Sequence, residues 1–533
     1  MPAQTKNLIK IDPAANPARR YIRCSYLAAL FLLLTLSPLL RGGTFFPEQL
    51  LPVLFFVGLI FIIFLAEQRP YWKTMELQAL DICFLALGLA YLLSLTNAVS
   101  LHSALLEIMK IFAGFMVYWI ARNLSQDGKS LKRLLAAVYL AAIVLALVGW
   151  GAAMGWVSFP GAYEDGHIRS TLQYHNALAI YLASAALIGW ALGIQEANPI
   201  RSIVSICCNY FLLVILAGTM SRGTVILYPI AAAAFFLLIS ANDRGKAYSH
   251  LVLSLPLAWF TAAFVYSALH SNQPELSFII LLGGLGIVAL AAWFYTSRLS
   301  SSLEKASTGA RMVCALLAGL ISLLLIMAGS LYMSHQVTGS AANTAPQNVA
   351  DKFGRLSVGE HSVQERLTTY KDALKIIKDY PFTGAGGGSW RLLYHQYATK
   401  FYTCNEMHNF YLKTLLEAGI PGLMALLAMC FAFLGLIYKI WREAAGEDRS
   451  LLAAAAIIVM LTGLHSAFDF DLSIPAVAFM FFAIIGGLQG HVLGWRSGAK
   501  SVNNKTVKNG GADRNGPVFR IILSASDWYL PPG

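Results

Sequence analysis

LLAAAAIIVMLTGLHSAFDFDLSIPAVAFMFFAIIGGLQGHVLG, residues 451–494, sets the class of this protein. Two apolar runs, 451–467 and 474–494, flank a short polar break that holds Asp469 and Asp471, with His465 at the end of the first run. A helix needs about 20 apolar residues to cross the hydrocarbon of a bilayer. Runs of this kind recur from Cys24 almost to Trp495, so the apolar residues are distributed as membrane helices rather than gathered into one core. Over 533 residues the chain is 57% hydrophobic and 12% charged, against the roughly 25% charged of a soluble domain. That composition excludes a cytosolic globular enzyme.

Cutting the chain at polar or Gly/Pro turns yields about fourteen candidate helices. They lie near residues 24–40, 50–66, 77–95, 104–121, 131–154, 171–193, 203–219, 223–240, 250–269, 276–296, 311–333, 410–440, 451–467 and 474–494. The expected fold is an all-α polytopic membrane protein, with about 12 to 14 transmembrane helices and one large extracytoplasmic loop. The expected divisions are a cytoplasmic tail 1–23, a helical bundle 24–333, the loop 334–408, C-terminal helices 409–495 and a disordered cytoplasmic tail 496–533. The run from Cys24 to Leu40 is too long for a signal-peptide core and has no clear cleavage site, so it reads as a retained first span.

Separating the seventh and eighth runs is the sensitive step, because fusing them would invert everything downstream. Charge supports the separation. With the N-terminus in the cytoplasm, inward connections hold Arg69 and Lys73, then Arg122, Lys129, Lys132 and Arg133, and later Arg244 and Lys246, whereas the short outward ones hold only Arg41, Arg169 and Arg222. The net charge of +12 is therefore a signal of orientation, and no nucleic-acid partner is read from it.

The loop begins with a flexible stretch, Gly339 to Asn348, and continues into a helical pattern. Ser362 and Glu365 fit a capping box, and Val363, Leu367, Tyr370, Leu374 and Ile377 recur at helical spacing until Pro381. GAGGGSW, residues 384–390, lacks the Lys-Ser/Thr of a phosphate loop and reads as a turn. Trp390, Tyr394, Tyr397, Phe401 and Tyr402 read as an interfacial belt, as the loop's own core or as a sugar-stacking platform. The seven cysteines show no C-x-x-C pair and no metal-ligand spacing, so neither a metal site nor a disulfide framework is expected.

Ionisable residues in or at the edge of a membrane are costly and are candidates for function. Here they cluster at expected outer ends of spans: His175 and Asn176, Arg222, His408 and Asn409, and His465 with Asp469 and Asp471. Arg366 lies in the loop. Arg222 either anchors a helix end at the headgroups or forms an anion site, since a guanidinium forks two hydrogen bonds onto phosphate oxygens. His408 starts a helix directly after the loop; a near-neutral imidazole there could act as a general base or simply pack at an interface. The LKTLLEA helix that follows ends at Gly419, and Pro421 and Gly422 re-aim the chain. Asp469 and Asp471 could hold a histidine tautomer, pair with an arginine, bind a cation or remain solvated.

Many spans, one late loop, an Arg in SRG, an Arg in the loop before DYPFTGAGGG, and then HN and GIPG together resemble the O-antigen ligase and polymerase superfamily of bacterial envelope glycan assembly. His408, Asn409, Gly419 and Gly422 match that family's loop motif with its spacing intact, and the likeness is strongest between about residues 200 and 475. The resemblance implies a GT-C-like, metal-independent and inverting glycosyltransferase with no cofactor. Its donor would be an undecaprenyl-diphosphate-linked glycan and its acceptor a lipid or glycan hydroxyl, on the outer face of the bacterial inner membrane among membrane lipids. His408 would be the base and Arg222 and Arg366 would bind the donor diphosphate, with Asn409, His175, His465 and Asp469 as supporting groups.

Ligation to a lipid, chain polymerisation and protein O-glycosylation share this machinery; ligation is placed first on the loop motif. A transporter of lipid-linked sugars or anions is the alternative from another class. It predicts ionisable residues on both sides of the spans, and Lys110 and Asp81 are the two that fit it better than an enzyme.

Overall fold

The computed structural model describes residues 17–43, 47–68, 77–339, 361–443 and 448–509. Its helices are α1 (Pro17–Leu36), α2 (Pro47–Gln68), α3 (Ala79–Leu93), α4 (Leu101–Leu124), α5 (Gly128–Ala153), α6 (His175–Ile194), α7 (Pro199–Gly218), α8 (Arg222–Leu238), α9 (Arg244–His270), α10 (Pro274–Phe294), α11 (Ser300–Lys305), α12 (Thr308–Gly339), α13 (His361–Asp379), α14 (Ser389–Tyr397), α15 (Phe410–Glu443), α16 (Arg449–His465) and α17 (Pro475–Asn509). Among the described residues the only strands are β1 (Tyr163–Glu164) and β2 (His167–Ile168), a small hairpin between α5 and α6.

Among the described residues ten helices are long and apolar enough to cross a membrane, and four shorter apolar helices lie at Ser25–Leu36, Leu54–Ile63, Arg222–Leu238 and Arg449–His465. Each apolar run of the sequence coincides with one of them, and the chain is an all-α, multi-pass membrane protein. The seventh and eighth runs are separate helices. Met220 takes a left-handed backbone, φ 54°, between α7 and α8 and turns the chain there.

The bundle is built around α6 and α17, whose apolar windows are 94% buried, whereas that of α12 is 6% buried. The reason α17 sits so deep is legible in its sequence. Gly486, Gly490 and Gly494 recur every fourth residue, and a Cβ on any of them would run into the α4 backbone at Tyr118 or Arg122, or the backbone of Gln126 beyond it. Small residues on one face let two helices approach to backbone contact, the usual means of packing within a bilayer. The helix runs on past Trp495 to Asn509, into the stretch expected to be disordered; once a span is packed, extending it adds one hydrogen bond per residue fixed.

The two charged residues that suited a transporter have partners. Asp81, fully buried, lies 3.2 Å from Arg122 and accepts from the Tyr118 hydroxyl at 2.7 Å. Lys110 pairs with Glu107 at 2.7 Å.

Beyond the bundle, α13, α14 and the start of α15 enclose a second core of Ala373, Ile376, Ala385, Trp390, Leu393, Tyr394, Met407 and Leu416. Trp390 and Tyr394 stack at 5.4 Å and Tyr402 stacks on Tyr394 at 5.6 Å, so these aromatics form the loop's own core, while Phe401 is 93% exposed. The expected helix covers the 363–377 pattern, but the flexible stretch Gly339–Asn348 (beyond Gly339 itself) and the Ser362 side chain lie outside the described residues. The glycine cluster is a turn docked on α15. Ala385 N–H donates to the Leu416 carbonyl at 2.9 Å, Gly386 N–H to the Glu417 carbonyl at 3.0 Å and Gly388 N–H to the Glu417 carboxylate at 2.8 Å. Gly419, with φ 65° and ψ −165°, breaks α15 where the turn docks, a conformation that only glycine takes readily. The break expected at Gly419 is thus present, and it receives the turn as well as redirecting the chain. Six cysteines, Cys83, Cys207, Cys208, Cys314, Cys404 and Cys430, are free thiols; the Cys24 side chain is outside the described residues.

A candidate active site at one end of the bundle

The start of α8, the end of α16, the residues just before α6 and α15, and the flank of α13 meet around one cavity of about 560 Å³. Its walls include Arg222, Arg366, His408, His175, His465 and Asp469. These side chains are scattered along the sequence from His175 to Asp469, and the fold brings them to one space.

Asp469 is the centre. It is 1% exposed and its carboxylate accepts five hydrogen bonds: from Tyr174 Oη at 2.6 Å, Asn176 Nδ2 at 2.6 Å, Arg366 at 3.4 Å, His408 Nδ1 at 3.2 Å and the Phe470 amide at 2.8 Å. A buried charge is tolerated only when paired and hydrogen-bonded, and this one is saturated. Burial alone would push Asp469 up, but the His408 hydrogen bond and the charges of His408, His465 and Arg366 hold it well below the usual carboxylate range.

His408 stands on the cavity wall with its side chain 27% exposed. Its backbone is pinned by the Tyr370 hydroxyl, which donates to the His408 carbonyl, and by Phe410 N–H, which donates to the Ser466 carbonyl at 2.8 Å and ties the start of α15 to the end of α16. Phe470 meets the imidazole edge-to-face at 5.1 Å and stacks on Tyr174 at 4.3 Å. Burial would lower the imidazole's pKa, yet hydrogen bonds with Asp469 and Cys404 and the Asp469 charge outweigh that and the opposing Arg366, raising it to about 9. The near-neutral imidazole expected from sequence is therefore corrected: the carboxylate behind it keeps the ring protonated at pH 7.

Arg366 projects from α13, half-buried, with its guanidinium against Asp469. The segment between α14 and α15, which lends Tyr402, Thr403 and Cys404 to the cavity, is anchored from the same helix. Asp372 accepts from Thr399 N–H at 3.1 Å and Tyr402 Oη at 3.0 Å, and from Lys375 at 2.9 Å. Arg222 is the first residue of α8, half-buried, where the helix dipole adds to its positive charge. His175 opens α6, with its ring 5.1 Å from that of His167. Asn409 differs from the others. Its Oδ1 accepts from Leu412 N–H at 2.9 Å, which makes it the N-cap of α15 rather than a cavity group.

Sequence reasoning passed over Tyr174, read Tyr370 only as part of a helix face, and saw Asn176 only as a neighbour of His175. No spacing rule flags them, because their partners lie far away in the chain. Among the described residues no group of three or more His, Cys, Asp or Glu is placed to hold a metal ion.

No curated protein matches the chain. A family model described as O-antigen ligase matches residues 275–427, a segment that holds Arg366, His408, Asn409, Gly419 and Gly422. Members of that family are glycosyltransferase-type enzymes, ligases or polymerases. Residues 275–427 of this multi-pass membrane chain are thus similar to the O-antigen ligase family, in line with the chain's resemblance to the O-antigen ligase and polymerase superfamily.

Proposed function

We propose that the protein is a metal-independent, inverting glycosyltransferase that moves a glycan from an undecaprenyl-diphosphate carrier to a hydroxyl acceptor on the outer face of the bacterial inner membrane. Ligation to a lipid is the preferred reaction, polymerisation or protein O-glycosylation the alternatives. The observation that carries this reading is the shared cavity, in which Arg222, Arg366 and His408 face one space with Asp469 behind them. Three cationic groups over one saturated carboxylate suit a diphosphate. The distribution of Lys and Arg supports cytoplasmic termini and an outer loop.

His408 turns Nδ1 to Asp469, so Nε2 is the nitrogen that meets the acceptor, whose hydroxyl takes the place of Cys404 there. Nε2 takes the hydroxyl proton as the acceptor oxygen bonds to the anomeric carbon. The bond from that carbon to the diphosphate oxygen breaks on the opposite face, inverting the centre, and the charge gathering on the leaving diphosphate is met by Arg222 and Arg366. Asp469, engaged by five donors, orients the ring and stabilises the imidazolium that forms.

The test is reconstitution of the purified protein with a lipid-diphosphate glycan and candidate acceptors, with the product identified by mass. One chain transferred to a lipid supports ligation, a lengthened chain on the carrier means polymerisation, and a modified protein means O-glycosylation; no product from any acceptor overturns the reading. Activity unchanged by a chelator is expected, and its loss would turn attention to Asp469 and Asp471 as metal ligands.

The raised His408 pKa sets a pH dependence. Only the neutral ring accepts a proton, and with a pKa of about 9 roughly one ring in a hundred is neutral at pH 7. The transfer rate should therefore climb about tenfold per pH unit above 7 and level off near 9. In Asp469→Asn the ring keeps Cys404, Arg366, Phe470 and Tyr174 around it, the raising charge is gone, and the plateau should begin at lower pH. A rate that falls as pH rises through 9 would make His408 an acid instead of a base.

A further inference from the structure

His465, in the same wall, forms a second histidine–carboxylate pair with Asp471 behind it, and the reaction as described leaves that pair unused. His465 Nδ1 is 2.6 Å from Asp471 Oδ2, and both residues are buried, at 2% and 0% exposure. On its far side His465 Nε2 lies 3.3 Å from Thr224 Oγ1, and that hydroxyl is 3.1 Å from Ser221 Oγ. Ser221 and Thr224 bracket Arg222 and Gly223 in sequence.

This turn has three peculiarities. Ser221 precedes α8, yet its side chain caps no backbone N–H; its hydroxyl pairs with that of Thr224 instead. Met220, just before it, holds a left-handed φ of 54°, a conformation that a non-glycine residue keeps only where the surroundings enforce it. A Cβ on Gly223 would come within 2.8 Å of His465 Nε2, so the imidazole rests directly on the backbone next to Arg222. Among the described residues Asp471 Oδ1 is buried with no side-chain partner of its own, so His465 is the group that the Asp471 carboxylate holds.

We propose that His465 is a positioning residue: braced by Asp471, it seats the Ser221–Thr224 turn through Thr224 and the Gly223 backbone, and so aims Arg222 into the cavity. The proposal rests on the reading of Arg222 as a ligand of the donor diphosphate. His465 acts through Arg222, since at 2% exposure it offers little surface to a substrate.

The experiment is a double-mutant cycle on the full-length protein in lipid nanodiscs, with binding of undecaprenyl diphosphate as the readout. Thr224→Val, nearly isosteric, removes the hydroxyl that His465 holds. It should weaken binding about fivefold to tenfold, while Thr224→Ser restores it; in an Arg222→Ala background Thr224→Val should cost nothing more, because coupled residues are non-additive. His465→Gln serves as the second variant and should follow the same pattern. A loss that is fully additive with Arg222→Ala, or wild-type binding by both Thr224→Val and His465→Gln, overturns the positioning role while leaving the donor reading intact. Wild-type binding by Arg222→Ala overturns the donor reading and this proposal with it.

Discussion

His408→Ala is expected to lower glycan transfer by about 10²–10⁴-fold, the range that a positioned general base contributes. The protein should still fold and reach the membrane. The imidazole is on a cavity wall with its side chain 27% exposed, and the backbone there is held by Tyr370 and by the Phe410–Ser466 hydrogen bond, none of which the substitution removes. Asp469 loses one donor of five and keeps Arg366 as a counter-charge, so no carboxylate is left buried without a partner. The measurement is turnover of a lipid-diphosphate glycan alongside the amount of protein recovered in a detergent-stable form. Full turnover would remove His408 from the chemistry and shift the search for a base to His175.

Arg222→Lys should be nearly as damaging as Arg222→Ala, each lowering turnover about 10²–10³-fold. Both variants lose the planar fork that meets two phosphate oxygens at once; lysine keeps the charge but presents it as a flexible point. The position sharpens the contrast. Arg222 opens α8 directly behind the left-handed Met220, so its backbone is fixed and the head group's geometry decides what it reaches. Normal turnover in the lysine variant would mean that charge alone suffices at this site. Arg366 is the natural comparison, because its guanidinium already leans on Asp469 at 3.4 Å and must divide its donors between carboxylate and phosphate.

Both substitutions address residues that their chemistry singled out before any contact was known. An arginine at a break between apolar runs and a histidine at the start of a span are costly in a bilayer, and that cost is visible in a one-dimensional reading. The partners are different. Asn409, adjacent to His408, looked like part of the site and is a helix cap. Asp469, read as a supporting group able to hold a histidine tautomer or pair with an arginine, does both at once, and Tyr174 and Asn176 complete its shell. The glycine cluster at 384–388 read as a turn and is one, but its docking on Glu417 could not be foreseen from its spacing.

Hydropathy and Gly/Pro breaks, read along the chain, were enough for the spans, the Lys and Arg distribution supported the separation of α7 from α8, and the cost of ionisable groups at span ends nominated the candidate side chains. Each of those is a local sum over neighbouring residues. The protonation state of His408, the saturation of Asp469 and the seating of Arg222 belong to the folded molecule. They depend on pairs such as Tyr174 with Asp469, 295 residues apart, and Thr224 with His465, 241 apart. Charge–charge and hydrogen-bond energies vary over a few ångströms and with the water excluded around them, and only helix packing sets those distances and that exclusion.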